Sequence, residues 1–152
     1  VPCRFTMSEG RAWPGDCRTM CYIEWPTHRV DAFAVAPATG ELSRRRTIVD
    51  VGSSSVSPDG MTIDAEGGSW VALWGGGAVH RYVDGRLDRV IALPVSQPTS
   101  CAFGGPDLDE LFVTSAWKGL SASERETPPN AGSRFRLRPG VRGILPAVYR
   151  GI

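Results

Sequence analysis

No apolar run in this 152-residue chain approaches the roughly 18 residues that a membrane-spanning helix needs. Residues 71–74 make one of the longer candidates, and they are strand-sized. The chain opens Val1-Pro2-Cys3-Arg4-Phe5-Thr6-Met7, with no initiator Met and no apolar signal core. A secretory address is unsupported on that pattern, and a cytoplasmic location is expected. Neither sign of charge dominates: Lys plus Arg is 17, Asp plus Glu is 16, and the net charge is +1. So even a balance argues against bulk binding to nucleic acid or to a membrane surface. The one local excess is at the C-terminus, where the last twenty residues hold five Arg and no acid.

Cysteine is scarce and unpatterned. Cys3, Cys17, Cys21 and Cys101 match no paired zinc knuckle, and no His stands at finger spacing from Cys17 and Cys21. They read as reduced, buried or half-buried thiols. No Gly-x-Ser-x-Gly elbow is present and no Ser-His-Asp order is evident, which argues against a serine hydrolase. Gly75-Gly76-Gly77 is followed by neither Lys-Ser/Thr nor a helical pattern, so it is a hairpin turn and not a phosphate loop.

What the chain does have is turns. Gly 18 and Pro 12 occur without a collagen period, while 41% hydrophobic and 22% charged residues are ordinary for a globular protein. Short apolar runs alternate with Gly-, Pro- and Asp-bearing turns. Strands are expected around Met20 and Tyr22, around Val30 to Val35, and over 47–51, 61–64, 69–74, 78–83 and 89–93. One short helix is expected over 121–126, where Ser121 and Glu124 fit a capping box. The strands repeat. Residues 18–23 lie over 68–73 at an offset of 50, and 110–114 lie over 69–73 at an offset of 41. Phe33 and Tyr82 end return strands, and Phe135 is the expected third counterpart.

A period of about 40–50 residues with short strands is the pattern of β-propeller blades. The fold is therefore expected to be all-β, with blade-like units near 1–50, 51–100 and 101–152. Three blades leave two raw faces and unpaired edges. Those faces are expected to meet either a missing N-terminal half or a second copy of the chain.

Several separated motifs resemble one family. They are Ser57-Pro58-Asp59-Gly60-Met61 with Trp70-Val71-Ala72-Leu73-Trp74-Gly75, then Pro98-Thr99-Ser100-Cys101-Ala102-Phe103-Gly104-Gly105. Val30-Asp31-Ala32-Phe33 and Pro139-Gly140-Val141-Arg142-Gly143 add to these. Together they are similar to the SMP-30/gluconolactonase/regucalcin family, and the match corresponds to its C-terminal half. The resemblance implies a six-bladed propeller with one divalent metal (calcium, zinc, manganese or magnesium). It implies hydrolysis of a sugar lactone to the aldonic acid, and calcium binding is the other property discussed for members.

The family's metal ligands are a Glu from its first blade, an Asn in Ser-Asn-Gly-Leu, and the Asp of Pro-Asp-Gly-Met. The first lies upstream of residue 1. The second falls on Glu9, and the third is matched by Asp59. The resemblance thus makes Asp59 both ligand and general base, and Glu9 a ligand. Substrate-binding residues belong to the family's second and third blades, so none is assigned here, and the chain alone is expected to show weak or no activity. Arg11 stands where the family has an apolar residue, a costly exchange if that position is buried.

The residues allow plainer readings beside these. Pro-Asp-Gly is a common turn, whose Asp accepts backbone N–H bonds. Glu is usually solvated. His28 and His80, 52 apart, read as exposed turn histidines, and Arg44-Arg45-Arg46 as a solvated face. Trp13, Trp70 and Trp74 are expected in inter-blade packing, with Trp74 placed nearest a channel mouth.

Overall fold

The computed structural model describes residues 8–52, 55–123 and 130–145. The regular structure is almost entirely strand. β1 (Ser8–Ala12), β2 (Thr19–Glu24), β3 (Arg29–Val35) and β4 (Leu42–Asp50) form one antiparallel sheet in chain order. β5 (Ser57–Ile63), β6 (Ser69–Trp74), β7 (Ala78–Val83) and β8 (Arg86–Ala92) form a second. β9 (Pro98–Gly104), β10 (Glu110–Ser115) and β11 (Arg134–Leu137) form a third. Each sheet is a meander; the connections of the first two are short enough to return the chain to its neighbour, while residues 116–133 link β10 to β11.

The repeat read from the sequence falls on equivalent strands. β2 and β6 begin and end 50 positions apart, and β6 and β10 begin and end 41 apart. Phe33, Tyr82 and Phe135 all lie on the third strand of their sheets. Of the helix expected over 121–126, Ala122 and Ser123 are helical, and residues 124–126 lie outside the described residues, as does Cys3.

The middle sheet is apolar on both faces, and the period-2 geometry of a strand divides its side chains between two cores. Val71 and Leu73 face the first sheet, packing with Cys21, Ile23, Val30 and Val49. Trp70 and Ala72 face the third sheet, packing with Cys101, Leu111 and Val113. Full burial of a side chain the size of Val or Leu contributes about 1.5–3 kcal/mol, so these two layers are the main cohesive contacts between sheets. The thiols of Cys21 and Cys101 belong to these layers, and burial pushes their pKa up, to about 11 and about 12. Cys17 differs from the expectation for thiols and is exposed.

Polar groups lock the second sheet. Asp64 is 1% exposed. Its carboxylate accepts from the Glu66 and Gly68 amides at 3.0 and 2.8 Å, from Trp70 Nε1 at 2.7 Å and from Arg81 Nε at 2.7 Å. The Arg81 pair and the other donors hold this carboxyl below its usual range despite burial. In the first sheet, Arg45 bridges the buried carboxylates of Asp31 and Glu24 at 2.7 and 3.3 Å. The central Arg of Arg44-Arg45-Arg46 is thus an ion-pair partner and not merely part of a solvated face.

The first strands of the three sheets lie side by side, β1 against β5 and β5 against β9. That arrangement brings the opening residues of three repeats together.

Candidate functional site

Glu9 and Asp59 sit on β1 and β5, at equivalent positions of the repeat. Each lies in a one-residue bulge. On β1, Ser8 pairs with Glu24 and Arg11 with Tyr22, so three steps oppose two. On β5, Pro58 pairs with Leu73 and Met61 with Val71, again three steps against two. A bulge bends a strand and re-aims a side chain, and it tolerates a Pro that a regular ladder would not. Asp59 is therefore a residue within a strand. The sequence suggests a turn at Pro58-Asp59-Gly60, and the structure replaces that turn with a bulge at the start of β5.

Two glycines permit the approach. A Cβ on Gly10 would lie 2.6 Å from the Asp59 carbonyl oxygen and 2.7 Å from Ile23 Cδ1. A Cβ on Gly60 would lie 2.6 Å from Ser100 Cα and would clash with the Ser100 side chain as well. Backbones pack this closely only where a side chain is missing.

The result is a pair of carboxyl groups brought close enough to interact. Asp59 is half-buried and Glu9 is exposed. Burial first, then the negative charge of Glu9 and a side-chain hydrogen bond to it, push the Asp59 pKa up to about 7. A hydrogen bond between two carboxyls requires one of them to hold a proton, which is the usual answer to two like charges in one site. The Gly60 amide donates to Asp59 and works weakly the other way.

Such a pair is chemically suited to a cation. A divalent ion can take the place of the shared proton and satisfy both oxygen donors, and hard ions favour carboxylate oxygen. Glu9 and Asp59 fit that role as part of a ligand set. Among the described residues no group of three or more His, Cys, Asp or Glu side chains converges. Further ligands must then come from other oxygens or from residues beyond those described.

The other residues singled out in the sequence lie elsewhere. Arg11 is exposed, so no burial cost arises at that position. Trp13 is 48% exposed, just past β1, and is not an inter-blade packing residue. Trp70 is fully buried between sheets. Trp74 ends β6 opposite Ser57, two residues before Asp59, which puts its backbone at the same end of the sheet as the carboxyl pair. His28 is half-buried, with Nδ1 2.9 Å from the Val56 carbonyl oxygen and 3.3 Å from Ser57 Oγ. His80 lies within β7 and not in a turn, 3.0 Å from the Tyr82 hydroxyl, and burial lowers its pKa.

Sequence reasoning passed over Ser100. The repeat offset of 41 places it on β9 where Asp59 stands on β5, and that offset was available from the sequence alone. The bulges had no such signal, because they depend on which residues pair across the sheet.

Comparison with known proteins gives a consistent picture. Residues 1–117 match the family described as SMP-30/Gluconolactonase/LRE-like region. Regucalcin from Xenopus laevis is 39% identical over 148 residues, covering 95% of this chain and 50% of that protein. A solved structure of a calcium-binding protein, regucalcin, from Agrobacterium tumefaciens aligns with a TM-score of 0.87 at 31% identity. It covers 95% of this chain and 50% of that one. A gluconolactonase from Xanthomonas campestris aligns with a TM-score of 0.60 at 28% identity, covering 70% of this chain and 34% of that one. The chain spans about half the length of the curated relatives it matches. No helix among the described residues is long and apolar enough to cross a membrane.

Proposed function

The chain belongs to the SMP-30/gluconolactonase/LRE-like family, and on that premise we propose that it carries two metal-holding carboxylates of a sugar lactonase. The observation that supports this is the interaction between Glu9 and Asp59, in matching bulges of adjacent strands. Glu9 and Asp59 would hold a divalent cation, which supplies Lewis acidity toward a carbonyl oxygen and lowers the pKa of water. Asp59 does the proton work. With a cation bound, its ionised carboxylate would accept a proton from the water that attacks the lactone carbonyl, as a general base. The bulge and the close-packed Gly60 fix the direction in which that carboxylate points. Glu9 would contribute charge and a second oxygen donor to that cation. The aldonic acid would leave once the ring C–O bond opens and the ring oxygen takes the proton that Asp59 accepted from water, which returns the carboxylate to its starting state.

The experiment is hydrolysis of gluconolactone by the protein at its full encoded length, with Ca²⁺, Zn²⁺, Mn²⁺ or Mg²⁺. Asp59→Ala is expected to lower kcat by at least about 100-fold, the scale of a lost general base. Equal rates for wild type and variant would remove Asp59 from the mechanism.

A second reading is favoured by one observation, the extra negative charge of Glu9. Two adjacent carboxylates bind a hard cation tightly, and a relative carries the description calcium-binding. In that reading the protein holds calcium without turnover. Tight calcium binding in calorimetry, with no lactone hydrolysis under any of the four ions, would support it over the first.

A further inference from the structure

From the position of Ser100 we infer that its hydroxyl is a substrate-positioning group, one that hydrogen-bonds a ring hydroxyl of the sugar lactone beside Asp59. This inference rests on the lactonase reading and adds to it the residue that recognises a hydroxylated substrate.

Three observations carry it. The first is register. Glu9, Asp59 and Ser100 are successive members of one repeat position, 50 and then 41 residues apart, on strands that pack side by side. The second is proximity. Ser100 is pressed against Gly60, the residue after Asp59, so closely that a Cβ on Gly60 would lie 2.6 Å from its Cα. The third is availability. Ser100 is exposed, and among the described residues its hydroxyl makes no hydrogen bond, whereas the neighbouring Thr99 hydroxyl is occupied by that of Thr114 at 2.7 Å.

A local irregularity makes this placement possible. On β9, Ser100 pairs with Thr114 and Pro98 with Ser115, so Thr99 is the extra residue of a bulge. All three first strands thus carry a bulge at this end: Glu9 and Asp59 lie within theirs, and Ser100 is paired with Thr114 directly after its own. Two of them present carboxyls, and the third presents a hydroxyl. A hydroxyl both donates and accepts, which suits it to a polyol and makes it a weak candidate for general base at neutral pH. Its chemistry divides the labour: Glu9 and Asp59 face the cation and the attacking water, and Ser100 orients the sugar.

The test compares Ser100→Ala and Asp59→Ala with wild type, at full encoded length, on gluconolactone and on δ-valerolactone, which has no ring hydroxyls. Loss of one neutral hydrogen bond predicts a rise in KM for gluconolactone of about 3- to 10-fold in Ser100→Ala. The kcat should stay within about twofold, and the KM for δ-valerolactone should not move. Mn²⁺ affinity, read by calorimetry, should be unchanged in Ser100→Ala and lost in Asp59→Ala. Restoring the hydroxyl with Ser100→Thr should recover part of the KM. If Asp59→Ala is impaired and Ser100→Ala equals wild type on both lactones, the inference is overturned and the lactonase reading stands. If Ser100→Ala loses Mn²⁺ affinity, or loses both lactones equally, Ser100 is not a sugar-positioning group. If wild type and Asp59→Ala are equally inactive, the lactonase reading itself fails and this inference falls with it.

Discussion

Arg81 Nε donates to Asp64 Oδ2 at 2.7 Å, with side-chain exposures of 6% and 0%. The other nitrogens of Arg81 reach Glu66 and Asp88, each at 2.8 Å. One buried guanidinium therefore holds together the β5–β6 turn and strands β7 and β8.

Removing one partner of a buried pair leaves an uncompensated charge. Arg81→Met is expected to destabilise the protein by about 3–5 kcal/mol. Asp64→Asn should also destabilise, since its single amide oxygen can keep the Glu66 and Gly68 bonds while its NH2 group cannot accept from Trp70 Nε1 and Arg81 Nε. The midpoint of urea unfolding, with unchanged slope, is the check. A loss below about 1 kcal/mol for Arg81→Met would mean that the pair is not a structural lock.

The carboxyl pair makes the opposite prediction about charge. Burial and Glu9 raise the folded-state pKa of Asp59 from 3.8 to about 7. The folded state therefore binds more protons than the unfolded state between those two values. Asp59 favours folding fully below about pH 4, and that contribution is lost as pH rises toward 7. Asp64 slopes the other way, because its lowered pKa gives stability that is lost as pH falls. Asp59→Asn isolates the first effect. Without metal, the variant should gain on wild type by about 1–3 kcal/mol between pH 4 and pH 8, allowing for solvent screening of a half-buried group. Urea midpoints across that range measure it. Saturating divalent ion should raise the wild-type midpoint at pH 8 and leave the variant unmoved.

How much of this was visible beforehand depends on whether a feature is local. The 50- and 41-residue offsets were readable because turns carry Gly, Pro and Asp, and because Trp70-Val71-Ala72-Leu73 is apolar on both faces. Those are properties of neighbours in the chain. The buried acids Glu24, Asp31, Asp64 and Glu110 were not readable. Arg45 is 21 residues from Glu24 and 14 from Asp31, and Arg136 is 26 from Glu110. Charge runs in a sequence do not show which Arg will fold back onto which acid. Asp59 was legible through its motif, while its setting was not, since a bulge is a relation between two strands.

The close approach of β5 and β9 gives a sharper test of packing. Gly60→Ala places a methyl 2.6 Å from Ser100 Cα, a backbone atom that cannot rotate away. Overpacking of this kind costs about 1–3 kcal/mol. The same change should shift Asp59 and weaken cation binding. Ser100→Gly as a second substitution removes the side-chain clash and leaves the new methyl pressed on the β9 backbone, so it should recover less than half of the lost stability. Full recovery would show that only the serine side chain stands in the way.

The thiols separate by environment, which a labelling experiment can read without a ligand or a substrate. Nucleophilic attack needs the thiolate and access to it. Cys17 is exposed, whereas Cys21 and Cys101 are buried with their pKa values pushed up to about 11 and about 12. Cys101 is tied further, its thiol donating to the Trp70 carbonyl oxygen at 3.4 Å. At pH 8 an aromatic disulfide reagent should modify Cys17 within minutes. Cys21 and Cys101 should react only as the protein opens, at a rate that climbs with urea. Sheet packing predicts an order between them as well. Cys101 lies in the layer around Trp70, and Cys21 lines a groove between the first two sheets. Cys21 should therefore be labelled before Cys101, and mass spectrometry of partly labelled protein gives the order directly. Simultaneous labelling of the two would mean that the sheets separate as one unit, and early labelling of Cys101 would contradict the packing of the second and third sheets.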